Sequence, residues 1–276
     1  MNNTEVSGPT RLPPPTRRRP AASQVAGELL LTAGVILLLF VLYEAFWTNI
    51  VSGRLQDKIN TQLEQSWAVD PGAASGEPVA PLIPALGEGF ARVHFPTLGA
   101  AYAVVEGTSS EDLRAGPGHY PESQMPGEAG NFALAGHRNG SGAVFQHLDQ
   151  LDTCDAVVVE TQSRWITYRL LPLDTAAPER RAAAAACLSP EQTDRVSAGD
   201  YAHVLGRHIT VPGDVAVVNP LPGNPWSEPD AKLESMLTLT TCHPLFSNSE
   251  RLIVHAVLVE TISKTSGAIP AAFQEQ

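Results

Sequence analysis

The chain is short of cysteine, of charged residues and of repeated segments. Its 276 residues include only three cysteines, Cys154, Cys187 and Cys242, which are too few for a disulfide-dense scaffold. Cysteine and histidine are nowhere spaced as in a zinc site, so we expect neither a metal nor another cofactor. Charged residues make up only 17% of the chain and hydrophobic ones 43%, which allows a large buried core.

Basic residues are scarce beyond the N-terminal part of the chain. The formal net charge is −11, and residues 1–28 hold four arginines against two glutamates, so the acidic excess lies in the remainder. An acidic domain does not attract the phosphate backbone, which argues against nucleic acid as its partner.

One long apolar run near the N-terminus has the length of a membrane span. As a helix, residues 25–47 would extend roughly 30 Å at about 1.5 Å per residue, enough for the hydrocarbon core of a bilayer. Residues 1–24 are rich in proline and arginine and predict a disordered tail, and the arginines at 17–19 favour a cytoplasmic N-terminus. We expect an uncleaved signal anchor; a cleaved signal peptide is the alternative, although no small-residue cleavage site follows.

A β-rich region follows the membrane segment. We interpret residues 48–88 as a stalk and a linker rich in proline, glycine and alanine, residues 89–262 as the folded domain, and residues 263–276 as a flexible tail. Eight short runs of β-forming residues with few helices predict a mainly β fold, a closed or nearly closed barrel. The expected strands are residues 91–95, 102–106, 132–135, 156–161, 165–171, 215–218, 236–241 and 252–260, and an alanine-rich helix is expected at 178–188.

The alternating run that ends at Cys242 is the strongest chemical signal. Leu237, Leu239 and Thr241 share one face of a strand, and Cys242 is the last residue on the opposite face. Pro244, two residues later, has no backbone N–H for a β-sheet hydrogen bond, so the strand should end there. A hairpin to the next strand would bring Arg251 close to Cys242. A thiol beside a cation is typical of a stabilised thiolate or oxyanion.

A cysteine nucleophile needs an imidazole partner, and His137 is the best candidate. It lies where another predicted strand runs into the glycine-rich loop Asn139-Gly140-Ser141-Gly142, so it too is a reactive side chain at a strand end. His255 is mid-strand and is expected to be packed in the barrel. Arg138 alternates to the face opposite His137, which predicts a structural ion pair.

Several motifs in one order resemble the sortases, membrane-anchored cysteine transpeptidases of Gram-positive bacteria, and among them class E of the high-GC actinobacteria. Residues 238–242 match the T-L-x-T-C signature of that family. The further matching stretches are VVEGT at 104–108, GPGHYP at 116–121, GNFALAGHR at 130–138 and CHP at 242–244, followed by Ser247-Asn248 and RLIV at 251–254.

The resemblance implies an eight-stranded sortase barrel and a catalytic triad of His137, Cys242 and Arg251. The thiolate of Cys242 would cleave an L-A-x-T-G or L-P-x-T-G sorting signal between Thr and Gly and form a thioacyl enzyme. His137 would protonate the leaving amine, and Arg251 would stabilise the oxyanion or hold the substrate. The implied partners are secreted proteins with a C-terminal sorting signal and an amine of a peptidoglycan precursor, and the catalytic domain would be extracellular.

The resemblance also makes Thr241, Ser141 and Asn248 candidates for substrate binding or an oxyanion hole. After His137 the class usually has Thr-Thr-Tyr, so Ser141 replaces a tyrosine and we expect a more mobile loop with altered signal preference. Residues 174–208 form a longer connection than in class E, either a surface elaboration or a partner-binding element.

Two alternatives remain open from the sequence. Water can replace the amine acceptor, which would make the chain a hydrolytic cysteine peptidase, or the barrel can be a catalytically weak, membrane-tethered binding module. An L,D-transpeptidase is disfavoured because its signature is missing. Spacing does not show whether Cys154 and Cys187 pair; if they do, Cys242 is the only free thiol.

Overall fold

The computed structural model describes residues 22–43, 48–68, 84–173 and 176–275. The chain divides into two units, residues 1–43 and 44–276. In the first unit α1 (Ala22–Leu42) has a mean hydropathy of 2.5, and among the described residues it is the one helix long and apolar enough to cross a membrane. The predicted tail, apart from residues 22–24, and residues 69–83 of the predicted linker lie outside the described residues.

The second unit is built on one closed sheet. Its strands are β1 (Gly89–Phe95), β2 (Ala100–Glu106), β3 (Gly118–His119), β4 (Gly130–Ala135), β5 (Ala156–Glu160), β6 (Arg164–Leu170), β7 (Arg207–Thr210), β8 (Ser235–His243) and β9 (Glu250–Ser263). Eight of them form a ring in the order β6-β5-β1-β2-β3-β4-β8-β9, which closes because β9 also pairs with β6. The predicted eight-stranded barrel is therefore confirmed. The other strand, β7, pairs with the first part of β9 outside the ring.

Apolar side chains of alternate strand positions fill the barrel. Leu237 and Leu239 of β8 point into the main core together with Phe132 of β4 and Tyr168 of β6, all at most 1% exposed. The outer face of β8 is buried as well, because the segment around Val217 lies over it. The Val217 carbonyl is 3.5 Å from the Thr238 hydroxyl. Residues 215–218 were expected to form a strand, but they form a 3-10 helix.

The helix α2 (Thr48–Ala68) contacts the barrel along its length. Ile59 and Leu63 are buried against Ala103 and Val105 of β2. The Gln56 side chain accepts from the Ala103 amide at 2.8 Å and donates to the Ala103 carbonyl at 3.0 Å. We expected residues 48–88 to form a stalk and linker; the part at 48–68 is instead packed on the folded domain.

The long connection after β6 carries two helices, α4 (Ala177–Ala185) and α5 (Pro190–Ala198). A shorter helix, α3 (Ser110–Ala115), lies between β2 and β3. A disulfide joins Cys154 to Cys187 and so ties the end of α4 to the barrel. The buried Arg180 guanidinium donates to the carbonyls of Val196 and Val204, which connects α4 to α5 and to the chain beyond it. Strand β7, which sequence patterning missed, begins at the end of this connection.

The last residues also differ from the expected flexible tail. Phe273 packs edge-on against Trp165 and His94, with ring centroids 5.5 and 5.3 Å apart. The Glu275 carboxylate accepts two hydrogen bonds from Arg169 at 2.6 and 2.7 Å. Residues 271–275 therefore lie along β5 and β6, from Trp165 near the start of β6 to Arg169 near its end.

Candidate active site

Cys242 lies near the end of strand β8, as the alternating sequence predicts. The side chain is half-buried and its thiol is free. In the antiparallel pairing of β8 with β9, Cys242 is directly opposite Arg251. The hairpin that we expected from the sequence therefore brings the predicted nucleophile and the predicted cation onto neighbouring strands.

His137 reaches the same edge from the other side of β8. Strand β4 runs parallel to β8, with Ala135 opposite Thr240, and the Gly136 amide continues the ladder by donating to the Thr240 carbonyl at 3.1 Å. Because parallel strands end at the same edge of a sheet, residues just beyond β4 and β8 face one site. A cleft of about 530 Å³ follows, lined by His137, Arg138, Asn139, Cys242, Phe246, Ser247 and Asn248.

The surroundings of His137 favour its neutral form. Burial is the main cause that lowers the pKa of the imidazole, and the positive charge of Arg114, in the last turn of α3, lowers it further. Near neutral pH the imidazole is therefore available to accept a proton.

The backbone of the β8–β9 loop orients Arg251. One terminal nitrogen, Nη1, donates to the Asn248 carbonyl at 3.0 Å and to the Glu250 carbonyl at 2.9 Å. The guanidinium is thus held at the end of β9, while Asn248 itself is exposed and lines the cleft. The substrate-binding or oxyanion role expected of Asn248 stays a prediction.

The Thr241 hydroxyl is engaged elsewhere. It is buried and donates to the Gly136 carbonyl at 2.7 Å, so its single proton is not directed at an oxyanion. This hydrogen bond instead ties the residue before Cys242 to the residue before His137. The predicted oxyanion role of Thr241 is replaced in this structure by a role in spacing the two strand ends.

Two other residues fulfil structural expectations. Arg138 is 3% exposed and pairs with Asp149 at 2.8 Å and with the His243 ring, which confirms the predicted ion pair. His255 is buried, its Nδ1 is 2.9 Å from the Thr238 hydroxyl, and burial lowers its pKa to about 3, as suits a packed, neutral histidine.

Comparison with known proteins identifies this arrangement. Residues 93–259 match the family described as "Sortase domain". The chain belongs to the sortase family. It is 32% identical over 264 residues to Sortase SrtE1 and 33% identical over 262 residues to Sortase SrtE2, both of Streptomyces coelicolor. These relatives agree with the class E motifs found in the sequence.

The coverage of the relatives differs. The alignment with SrtE2 covers 89% of this chain and 87% of SrtE2, and that with SrtE1 covers 91% of this chain but only 62% of the length of SrtE1. A solved structure, the SrtF sortase from Corynebacterium diphtheriae, is 50% identical and superposes with a TM-score of 0.69 over 72% of this chain and 100% of that one.

In this sortase, Ser141 does not line the Cys242 cleft. It lines a separate cavity of about 360 Å³ beside α2, together with Ser52 and Arg114. The residue that patterning missed is Phe246, which lines the cleft, is 89% exposed and has a positive φ of 63°. The signal in the sequence was an aromatic residue two positions after Pro244, in the loop that follows Cys242.

Proposed function

We propose that this sortase is a cysteine transpeptidase with a triad of His137, Cys242 and Arg251. The observation that carries the proposal is the pairing of β8 with its two neighbours. Cys242 of β8 is opposite Arg251 of β9, and the parallel strand β4, which leads to His137, ends at the same edge as β8. The Cys242 thiol and the His137 imidazole line one solvent-accessible cleft, and Arg251 lies opposite the cysteine on the neighbouring strand. A nucleophile, a proton acceptor and a cation placed together are what nucleophilic catalysis requires.

The chemistry follows from the states of these groups. The neutral imidazole of His137 accepts the thiol proton as the sulfur of Cys242 attacks the carbonyl of the scissile peptide bond. The Arg251 guanidinium stabilises the negative charge that develops on the carbonyl oxygen. His137 then protonates the leaving amine, and a thioacyl enzyme remains. In the second half of the reaction an incoming amine gives up a proton to His137 and displaces the sulfur.

We further propose that the donor is a secreted protein with an L-A-x-T-G or L-P-x-T-G signal, cut between Thr and Gly. The acceptor is an amine of a peptidoglycan precursor. Residues 25–47 anchor the enzyme in the membrane with the N-terminus in the cytoplasm and the barrel outside. The free thiol and the disulfide between the other two cysteines support an oxidising, extracytoplasmic location.

The test uses the full chain in detergent micelles and its Cys242→Ala variant. Each is incubated with L-A-x-T-G and L-P-x-T-G peptides and an amine acceptor, and the products are read by mass. Peptide joined to amine by the wild type and not by the variant is the expected result. The Cys154→Ser/Cys187→Ser double variant is the control, since it removes both other sulfurs; it should retain transfer when assayed at a temperature at which circular dichroism shows it folded.

The same assay separates the alternatives. Cleavage without joining identifies a hydrolytic cysteine peptidase, because water then resolves the thioacyl enzyme. The absence of a thioacyl adduct and of product from both peptides refutes the transpeptidase and favours a binding module.

A further inference from the structure

The loop that follows His137 has an unusual backbone. Four consecutive residues, 140–143, have positive φ angles of 60, 44, 80 and 43°. Gly140 and Gly142 adopt such angles readily, but Ser141 and Ala143 carry a Cβ atom that disfavours them. The loop therefore depends on contacts that hold it in this shape.

Contacts within the loop transmit its shape to His137. The Ala143 amide donates to the Gly140 carbonyl at 2.7 Å, and the Phe145 amide donates to the carbonyl of His137 itself at 3.0 Å. The ring of Phe145 covers Gly136, where an added Cβ would lie only 2.5 Å from the ring. A shift of residues 140–143 would thus move the backbone on both sides of the imidazole.

The support from outside the loop comes from α2. The Asn49 side-chain oxygen accepts a hydrogen bond from the Gly142 amide at 3.0 Å. One turn further along the helix, the buried Ser52 lies against Gly142, with its Cβ 3.1 Å from where a Gly142 Cβ would be. Both contacts are made to Gly142, which lies within the four residues of positive φ.

The remainder of α2 is anchored independently of this loop. Besides the hydrogen bonds of Gln56 to β2, Asn60 accepts from Arg92 of β1 at 2.9 Å. Near the end of the helix, the Trp67 ring lies 4.3 Å from the Lys264 ammonium. The first turn of α2 is therefore presented to the loop by a helix that the barrel holds in place.

We propose that Asn49 is a positioning residue for His137, and that α2 belongs to the catalytic apparatus rather than to a passive stalk. The proposal rests on the transpeptidase function above and adds a structural requirement to it. The helix that follows the candidate membrane span in sequence keeps the loop, and through it the imidazole, in the reactive arrangement. Removal of the Asn49 acceptor would leave the Gly142 amide without this partner and release the loop into other conformations.

The test compares full-length Asn49→Ala and Asn49→Asp with the wild type in detergent micelles. Asn49→Asp keeps an acceptor oxygen, and Thr61→Ala is the control on an exposed position of the same helix, where the hydroxyl bonds only within α2. Loss of one hydrogen bond to a strained loop should lower kcat about three- to tenfold with KM within about twofold. Amide hydrogen exchange should rise across residues 139–145, Asn49→Asp should restore most of the rate, and Thr61→Ala should behave as the wild type.

Three results would overturn the proposal. One is an Asn49→Ala variant with unchanged kcat and unchanged exchange. Another is an equal loss in Asn49→Ala and Asn49→Asp, because the acceptor oxygen then has no role. The third is an equal loss in Thr61→Ala, which would indicate general damage to the helix. If the wild type has no activity, the reaction assignment fails, and the exchange comparison alone decides whether Asn49 supports the loop.

Discussion

Acid should weaken this fold mainly through Glu160, which lies at the centre of a charged cluster. Its carboxylate accepts hydrogen bonds from Lys264 at 2.7 Å and from Arg92 at 2.8 Å, and His94 is 3.1 Å away. Burial by itself would raise the pKa of Glu160, but the hydrogen bonds from His94 and Lys264 and the charges of Lys264 and Arg92 outweigh it. They lower the pKa from 4.5 to about 2.

The lowered pKa of Glu160 determines how the free energy of unfolding depends on pH. A carboxyl whose pKa is lower in the folded state stabilises the fold above pH 4.5, and this contribution is lost as pH falls toward 2. A shift from 4.5 to about 2 corresponds to at most about 3 kcal/mol. Glu160→Gln should therefore lower the free energy of unfolding by up to that amount at pH 7, and the difference from the wild type should close near pH 2.

Urea unfolding between pH 2 and pH 7 measures this directly. Glu122→Gln, at an exposed position after β3, is the matched control and should follow the wild type at every pH. A gap between wild type and Glu160→Gln that stays constant across this range would refute the reasoning, because the lost stability would then not be linked to protonation of this carboxyl.

Three further predictions concern the site and the disulfide. Arg114→Gln removes a charge that lowers the pKa of His137, so the acid limb of the kcat/KM profile should move to higher pH, with a smaller shift at high salt; an unmoved limb contradicts the assignment. Replacing Cys154 and Cys187 by serine opens a loop of 33 residues and should cost about 3–4 kcal/mol of unfolding free energy by the chain-entropy estimate, measured by urea titration. In the wild type without reductant, iodoacetamide should label Cys242 alone; labelling of all three cysteines would contradict the pairing.

Local patterning predicted a closed or nearly closed β-barrel and a cysteine at a strand end, but its eight strands included residues 215–218 and left out β3 and β7. The eight-stranded sortase barrel followed from the resemblance to the family. The alternation of Leu237, Leu239 and Thr241 set the face of β8, and the turn at Pro244 placed Cys242 at its end. Pairing of consecutive strands then brought Arg251 opposite the thiol. The adjacency of β4 and β8 could not follow from the same pattern, because more than a hundred residues separate His137 from Cys242 in the chain.

The errors arose where burial depends on distant partners. The apolar run at 215–218 was expected to be a strand, yet it lies over β8 as a 3-10 helix. Its Val217 carbonyl accepts a hydrogen bond from the side-chain amide of Asn131 at 3.3 Å. Short apolar runs do not distinguish these outcomes. The packing of α2 was missed although Ile59 and Leu63 are buried against β2, because a short apolar stripe does not specify the surface it packs on. The contacts of polar side chains such as Asn49 and Gln56 leave no periodic signal in the sequence.

The pairing of β9 with three other strands also bears on the order of events during synthesis. The ribosome makes β9 after β6, β7 and β8, and the ring closes only when β9 meets β6 and β8. Until then Cys242 has no Arg251 opposite it, and the edge that holds His137 is incomplete. A chain whose last strand has not yet paired would therefore expose a thiol without its partners, so that the arrangement of Cys242 and Arg251 forms only when β9 joins the barrel.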